Sequence, residues 1–99
     1  MLTLPNLGSI FKNPDNNSAG KLLDECGLKG YKLGGACVWE NHANFIINED
    51  GANSLDILKL MVEMKKSVLD KFNVNLKPEI NFICGKNKEE IELWKFLQE

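Results

Sequence analysis

Apolar residues recur at helical spacing most clearly in the middle of the chain. Leu55, Leu58, Met61, Val62, Val68, Leu69 and Phe72 mark one stripe, with Glu63, Lys65, Lys66 and Asp70 mostly on the wet side. Asn53 is a suitable cap, Asp56 stands at the third helical position, and Asn73 ends the run. The pattern predicts a helix of about five turns, long enough to cover one face of a sheet. Ser18 caps a second predicted helix from Ala19 to about Cys26, with Leu22, Leu23 and Cys26 as its apolar face and Gly27 as its stop. Gly20 inside it costs helix stability, so another backbone, a phosphate-bearing ligand or plain packing has to come close there. A last helix follows Asn87, with Glu90 completing a capping box and Ile91, Trp94 and Leu97 as its stripe.

The other apolar runs are short and strand-like. Leu2 and Leu4 alternate in an extended lead-in interrupted by Pro5, and Leu7 to Phe11 form a short strand. Tyr31–Leu33 and Ala36–Trp39 flank Gly34-Gly35, which suits a two-residue hairpin turn with positive φ at both glycines, or a wider glycine bend. Phe45-Ile46-Ile47 is the centre of a strand within 42–48. Glu79 to Ile83 form another, with Ile80 and Phe82 on one face and Gly85 as its stop. The expected fold is α/β of the α+β type: a small, mainly antiparallel sheet with helices packed on it, in one domain spanning 1–99.

Bulk properties narrow the function. With 99 residues, 43% apolar and 26% charged, the chain can bury one core without staples. A formal net charge of -2 gives no broad electrostatic reason to expect nucleic acid or a polybasic membrane contact. Neither a signal peptide nor an apolar run of membrane-spanning length is apparent, so a cytoplasmic protein is expected. Cys26, Cys37 and Cys84 are widely spaced in apolar surroundings, and there is one histidine. That favours buried free thiols in a reducing compartment over a metal site.

Candidate chemistry concentrates in Gly8-Ser9-Ile10-Phe11-Lys12-Asn13-Pro14. Gly8 frees the backbone beside a hydroxyl, Ile10 and Phe11 can anchor it, and Pro14 stiffens the exit. A bland anchored strand followed by a turn fits the same residues. Serine as a nucleophile needs a base. His42 is the single histidine, no GxSxG elbow exists, and His42 also suits a hydrogen-bonding place where a turn meets the core. Hydrolase chemistry is therefore disfavoured. A serine can instead give its proton to a carbanion, which needs no triad. Glu79, after a proline at a strand mouth, can serve as an acid or orient charge, or be a solvated strand end. Asn13 can meet a phosphate or a uracil edge, or make an Asn-Pro turn. Lys12 can meet a phosphate or lie on a wet face.

The segments GSIFKNP, SAGKLLDECGLKGYKLGGACV, HANFIIN and LKPEINFI, in this order and spacing from Gly8 to about Ile83, resemble the C-terminal domain of the UDP-N-acetylenolpyruvoylglucosamine reductase (MurB) family. The resemblance implies a domain of UDP-N-acetylmuramate dehydrogenase, a flavoenzyme of peptidoglycan precursor synthesis. NADPH reduces its FAD, and UDP-N-acetylglucosamine enolpyruvate is reduced in turn. On that resemblance Ser9 matches the proton donor. Glu79 matches the glutamate near the substrate carboxylate. Asn13 contacts the UDP part, with Lys12 and Gly8 beside it in the substrate site, and Gly34 and Gly35 shape the pocket and turns. The chain departs from the family at Asn81, where many members carry arginine, and at Trp39, where many carry serine. No cofactor-binding or metal-binding residue is assigned. The FAD-binding domains are expected to be absent from this chain, leaving a substrate-binding domain inactive by itself. The alternative is a non-catalytic remnant that binds a nucleotide-sugar or a partner protein.

Overall fold

The computed structural model describes residues 6–80 and 87–99. The elements run β1 (Asn6–Ser9), α1 (Ala19–Glu25), β2 (Lys32–Leu33), β3 (Ala36–Val38), β4 (Phe45–Asn48), α2 (Ser54–Phe72) and α3 (Lys88–Gln98). The strands form one antiparallel sheet in the order β1-β4-β3-β2, as expected from the sequence. Among the described residues no helix is long and apolar enough to cross a membrane.

Helix α2 organises the core. Asn53 Oδ1 accepts from the Asp56 N–H at 2.8 Å, Asp56 accepts in return from the Asn53 N–H, and Asn73 ends the helix in the left-handed region at φ 57. Ile57, Leu58, Leu60, Met61, Met64 and Val68 are all buried. They pack on the face of the sheet that carries Ala36, Val38 and Ile46, and on α1 and α3. Lys65 corrects the predicted wet side. It is 1% exposed, because α3 lies along that flank of α2. Its Nζ donates to the Leu97 carbonyl at 2.9 Å and sits 5.4 Å from the centre of the Phe96 ring. Burial pushes this ammonium below its ordinary pKa.

Three further predictions shift in detail. Helix α1 begins after Ser18, whose hydroxyl accepts from the Lys21 N–H at 3.3 Å, and ends with Gly27 at φ 73. At the β2–β3 turn only Gly34 takes positive φ (58), so the turn is not of the type with positive φ at both glycines. Gly35 is needed for closeness instead. A Cβ there would collide with the main chain of Asp50 and Ala52, and the Gly35 N–H donates to Asp56 Oδ2 at 3.2 Å. In α3, Asn87 caps as predicted, but Ile91 is 40% exposed and Leu97 is fully buried. Glu90 reaches across to accept from the Ser54 hydroxyl, which ties the starts of α2 and α3 together.

Of the predicted strand 79–83, only Glu79 and Ile80 lie within the described residues. Phe11 and Pro78 form an isolated antiparallel bridge, while Glu79 and Ile80 lie in no strand. Phe82, Ile83 and Gly85, like Asn81, Cys84 and the lead-in at 1–5, fall outside the described residues. Cys26 is half-buried and Cys37 buried, and both are free thiols.

Candidate functional site

The site begins at an irregularity in β1. Asn6 pairs with Ile47 and Ser9 with Phe45, so β1 spends one residue more than β4 between the two pairs. Such a bulge re-aims the side chain that follows it. Gly8 lies within it and Ser9 directly after. Paired residues share a face, and faces alternate along a strand. Ser9 therefore sits with Phe45, Ile47, Cys37 and Lys32, opposite the core-facing Ala36, Val38 and Ile46. Ser9 is half-buried, and its hydroxyl makes no hydrogen bond among the described residues. No buried side-chain polar atom there lacks a partner, so this hydroxyl is not sealed from water.

Two neighbours hold the serine segment in place. Ile10 donates its N–H to the Asn44 carbonyl at 2.9 Å. The buried Asn44 side chain then takes over from the sheet: the Phe11 N–H donates to Asn44 Oδ1 at 3.0 Å, and Asn44 Nδ2 donates to the Phe11 carbonyl at 2.9 Å. This pair lets Ile10 and Phe11 both enter the core at 0% and 1% exposure, where a regular strand would turn one of them outward. On the opposite edge, the Lys12 N–H donates to the Lys77 carbonyl at 2.8 Å and the Glu79 N–H to the Ile10 carbonyl at 2.8 Å. The Glu79 backbone thus runs immediately beside Ser9–Ile10, and its side chain is exposed.

The remaining predicted site residues divide. Asn13 is exposed, and its Oδ1 accepts from the Ala19 N–H at 2.9 Å, tying the serine segment to the first residue of α1. Its Nδ2 donors are free among the described residues. Lys12 points elsewhere: it lines a cavity of about 350 Å³ with Lys77, Pro78, Ile80, Trp94 and Gln98, and neither Ser9, Asn13 nor Glu79 borders that cavity. His42 serves structure. Its Nδ1 accepts from the Asn44 N–H at 3.2 Å, and its ring meets Phe45 edge-on at 4.7 Å. The ring also explains Gly20, where a Cβ would come within 2.7 Å of His42 Cε1. The sequence reading overlooked Asn44. Its signal was a lone amide in HANFIIN just ahead of three apolar strand residues.

A second feature of the Ser9 face is Trp39. Its N–H donates to the Phe45 carbonyl at 2.9 Å, and its indole meets the Phe45 ring edge-on, centroids 5.9 Å apart. Beside it Lys32 and Glu49 pair at 2.7 Å, an interaction that raises the Lys32 pKa and lowers that of Glu49. Burial pushes the Cys37 thiol up, which keeps it neutral. Among the described residues no group of three or more histidine, cysteine or acidic side chains could hold a metal ion.

Residues 1–83 match the family described as the UDP-N-acetylenolpyruvoylglucosamine reductase C-terminal domain. The chain is 54% identical over 82 residues to the UDP-N-acetylenolpyruvoylglucosamine reductase of Caldicellulosiruptor bescii, covering 83% of this chain and 26% of that protein. It is 52% identical over 80 residues to the enzyme of that name from Prochlorococcus marinus, covering 81% of this chain and 27% of the relative. The fold is similar to the crystal structure of the reductase (MurB) from Thermus caldophilus, with a TM-score of 0.66 and 36% identity over 82% of this chain and 28% of that one. The chain thus spans about a quarter of the length of these relatives. Both the sequence match and the antiparallel sheet with its packed helices place it on one side of the question: this chain belongs to the family of UDP-N-acetylenolpyruvoylglucosamine reductase C-terminal domains.

Proposed function

We propose that this chain is the substrate-binding and proton-donating part of a UDP-N-acetylmuramate dehydrogenase acting in cytoplasmic peptidoglycan precursor synthesis. The observation that carries the reading is the Ser9 hydroxyl, set on the open face of the sheet by the bulge at Gly8, without a hydrogen-bond partner among the described residues, and beside the Glu79 backbone. The substrate is UDP-N-acetylglucosamine enolpyruvate. FAD, reduced by NADPH, supplies hydride to the vinyl carbon. In this reading FAD is held by flavin-binding domains of the full enzyme, and this chain's part begins with the substrate.

Hydride addition leaves an electron pair on the carbon alpha to the carboxylate, delocalised as an enolate. Ser9 Oγ gives its proton to that carbon, a C–H bond forms as the O–H bond breaks, and solvent returns a proton to the alkoxide. The enolate of a carboxylate is a far stronger base than an alkoxide, so the proton moves downhill and no triad is needed. Glu79 orients or stabilises the enolic carboxylate. Asn13 offers its free Nδ2 donors to the UDP portion while its Oδ1 holds α1. Lys12 acts at most at the margin, since its cavity lies apart from Ser9.

The test is a graft of residues 1–99 in place of the matching quarter of the Caldicellulosiruptor bescii reductase. The graft is expected to oxidise NADPH only when the enolpyruvyl substrate is present and to release UDP-N-acetylmuramate. A folded, flavin-loaded graft that binds UDP-N-acetylglucosamine yet never turns over would favour the remnant reading instead.

A further inference from the structure

Ser9, Phe45 and Trp39 lie at one level across three neighbouring strand segments, on the face that no described helix covers. Two strand spacings separate the hydroxyl from the indole, about 10 Å, which is within the span of a nucleotide-sugar. Trp39 walls a cavity of about 310 Å³ that continues this row, with Cys37 and Ile47 as its floor. The edge contact with Phe45 fixes the indole while leaving it half-exposed. At the rim the one described cation, Lys32, is paired with Glu49 at 2.7 Å, and the remaining described charge is the Glu40 carboxylate, which repels a phosphate. The floor is apolar and the nearest thiol is neutral. A space of this kind suits a flat-faced ring and not a diphosphate.

We propose that Trp39 and this cavity form a ring-binding subsite of the substrate cleft, in which the indole stacks on a ring of the nucleotide-sugar while its enolpyruvyl end lies at Ser9. The proposal rests on the substrate class given under Proposed function. The ring is either the uracil or the apolar face of the pyranose, which share the same stacking chemistry. Trp39 is a binding residue here and takes no part in proton transfer.

The experiment measures calorimetric Kd values on the grafted enzyme for UDP-N-acetylglucosamine, UMP and N-acetylglucosamine 1-phosphate, alongside kcat and KM. Trp39→Ser is expected to weaken UDP-N-acetylglucosamine by about tenfold, the ordinary size of one lost aromatic stack. KM should rise in parallel at unchanged kcat, and Trp39→Phe should recover most of the loss. A parallel loss for UMP assigns the uracil, and one confined to the sugar phosphate assigns the pyranose. Kd values within twofold of the parent for all three ligands in Trp39→Ser overturn the subsite. Because Kd is read without turnover, this outcome is separate from failure of the enzymatic reading, which an inactive parent graft would reveal. Trp39→Leu keeps apolar packing on Phe45 but removes the ring, so it gives the same reading if Trp39→Ser does not fold.

Discussion

The two faces of the sheet are made from alternate residues of the same strands, yet they are built to opposite ends. The inner face carries Ala36, Val38 and Ile46 at 0–1% exposure against α2. The outer face carries Ser9, Trp39, Phe45 and Ile47, all only half-buried around the buried Cys37, with no helix over them among the described residues. Stability is invested on one side. On the other, an open hydroxyl, an aromatic row and a lined cavity are left for something else to meet. Under the proposed function, that open face is where the substrate and the flavin-binding domains would meet this chain.

The comparison can be broken by truncating one residue on each face. Ile46→Ala should cost about 2–5 kcal/mol of unfolding free energy in urea titrations. Its neighbour Ile47→Ala should cost about 1 kcal/mol. Equal costs would mean that the outer face is packed as a core, contrary to this account. Asn44 joins the two functions, so it gives the next largest effect. Asn44→Ala leaves the Phe11 N–H and carbonyl without their partner and should cost about 2–3 kcal/mol. In the graft it should also lower kcat, because the mount of Ser9 loosens. A variant that loses stability at full kcat would confine Asn44 to a structural role.

The smallest effect sharpens the picture of the inner side. Burial holds the Lys65 ammonium below its ordinary pKa of about 10.4, Lys77 lowers it further, and Glu99 opposes the shift. Between the lowered folded value and the unfolded one, the unfolded chain binds more protons. Stability should therefore rise with pH across that window and be lowest below it, where the folded state keeps the buried charge. Lys65→Met should flatten that rise when urea midpoints are followed on the alkaline side of neutrality. An unchanged slope would place its origin elsewhere.

Local signals were the legible part of this fold. Asn53, Asp56 and Asn73 bracket α2 as the sequence predicts, because caps depend on residues within a turn of one another. Lys65 was misjudged for the converse reason: its partner is the end of α3, 32 residues on. The outer face was unreadable because Cys37 and Trp39 are as apolar as Ala36 and Val38, so alternation left no mark on β3. Gly8 and Ser9 were singled out in the sequence. Their effect, a bulge that turns the hydroxyl outward, needed the register with β4. Lys12 was a candidate for its charge, as a group that could meet a phosphate or lie on a wet face, and the chain direction after Phe11 sends it to a cavity that Ser9 does not border.

The most direct test of the outer face is Ser9→Ala in the grafted enzyme, with kcat, the Kd for UDP-N-acetylglucosamine and the unfolding midpoint measured together. The account predicts a fall in kcat of about 10²–10⁴-fold, with Kd and the midpoint close to those of the parent. Full turnover in Ser9→Ala would contradict it, as would a loss of kcat matched by an equal loss of binding or of fold.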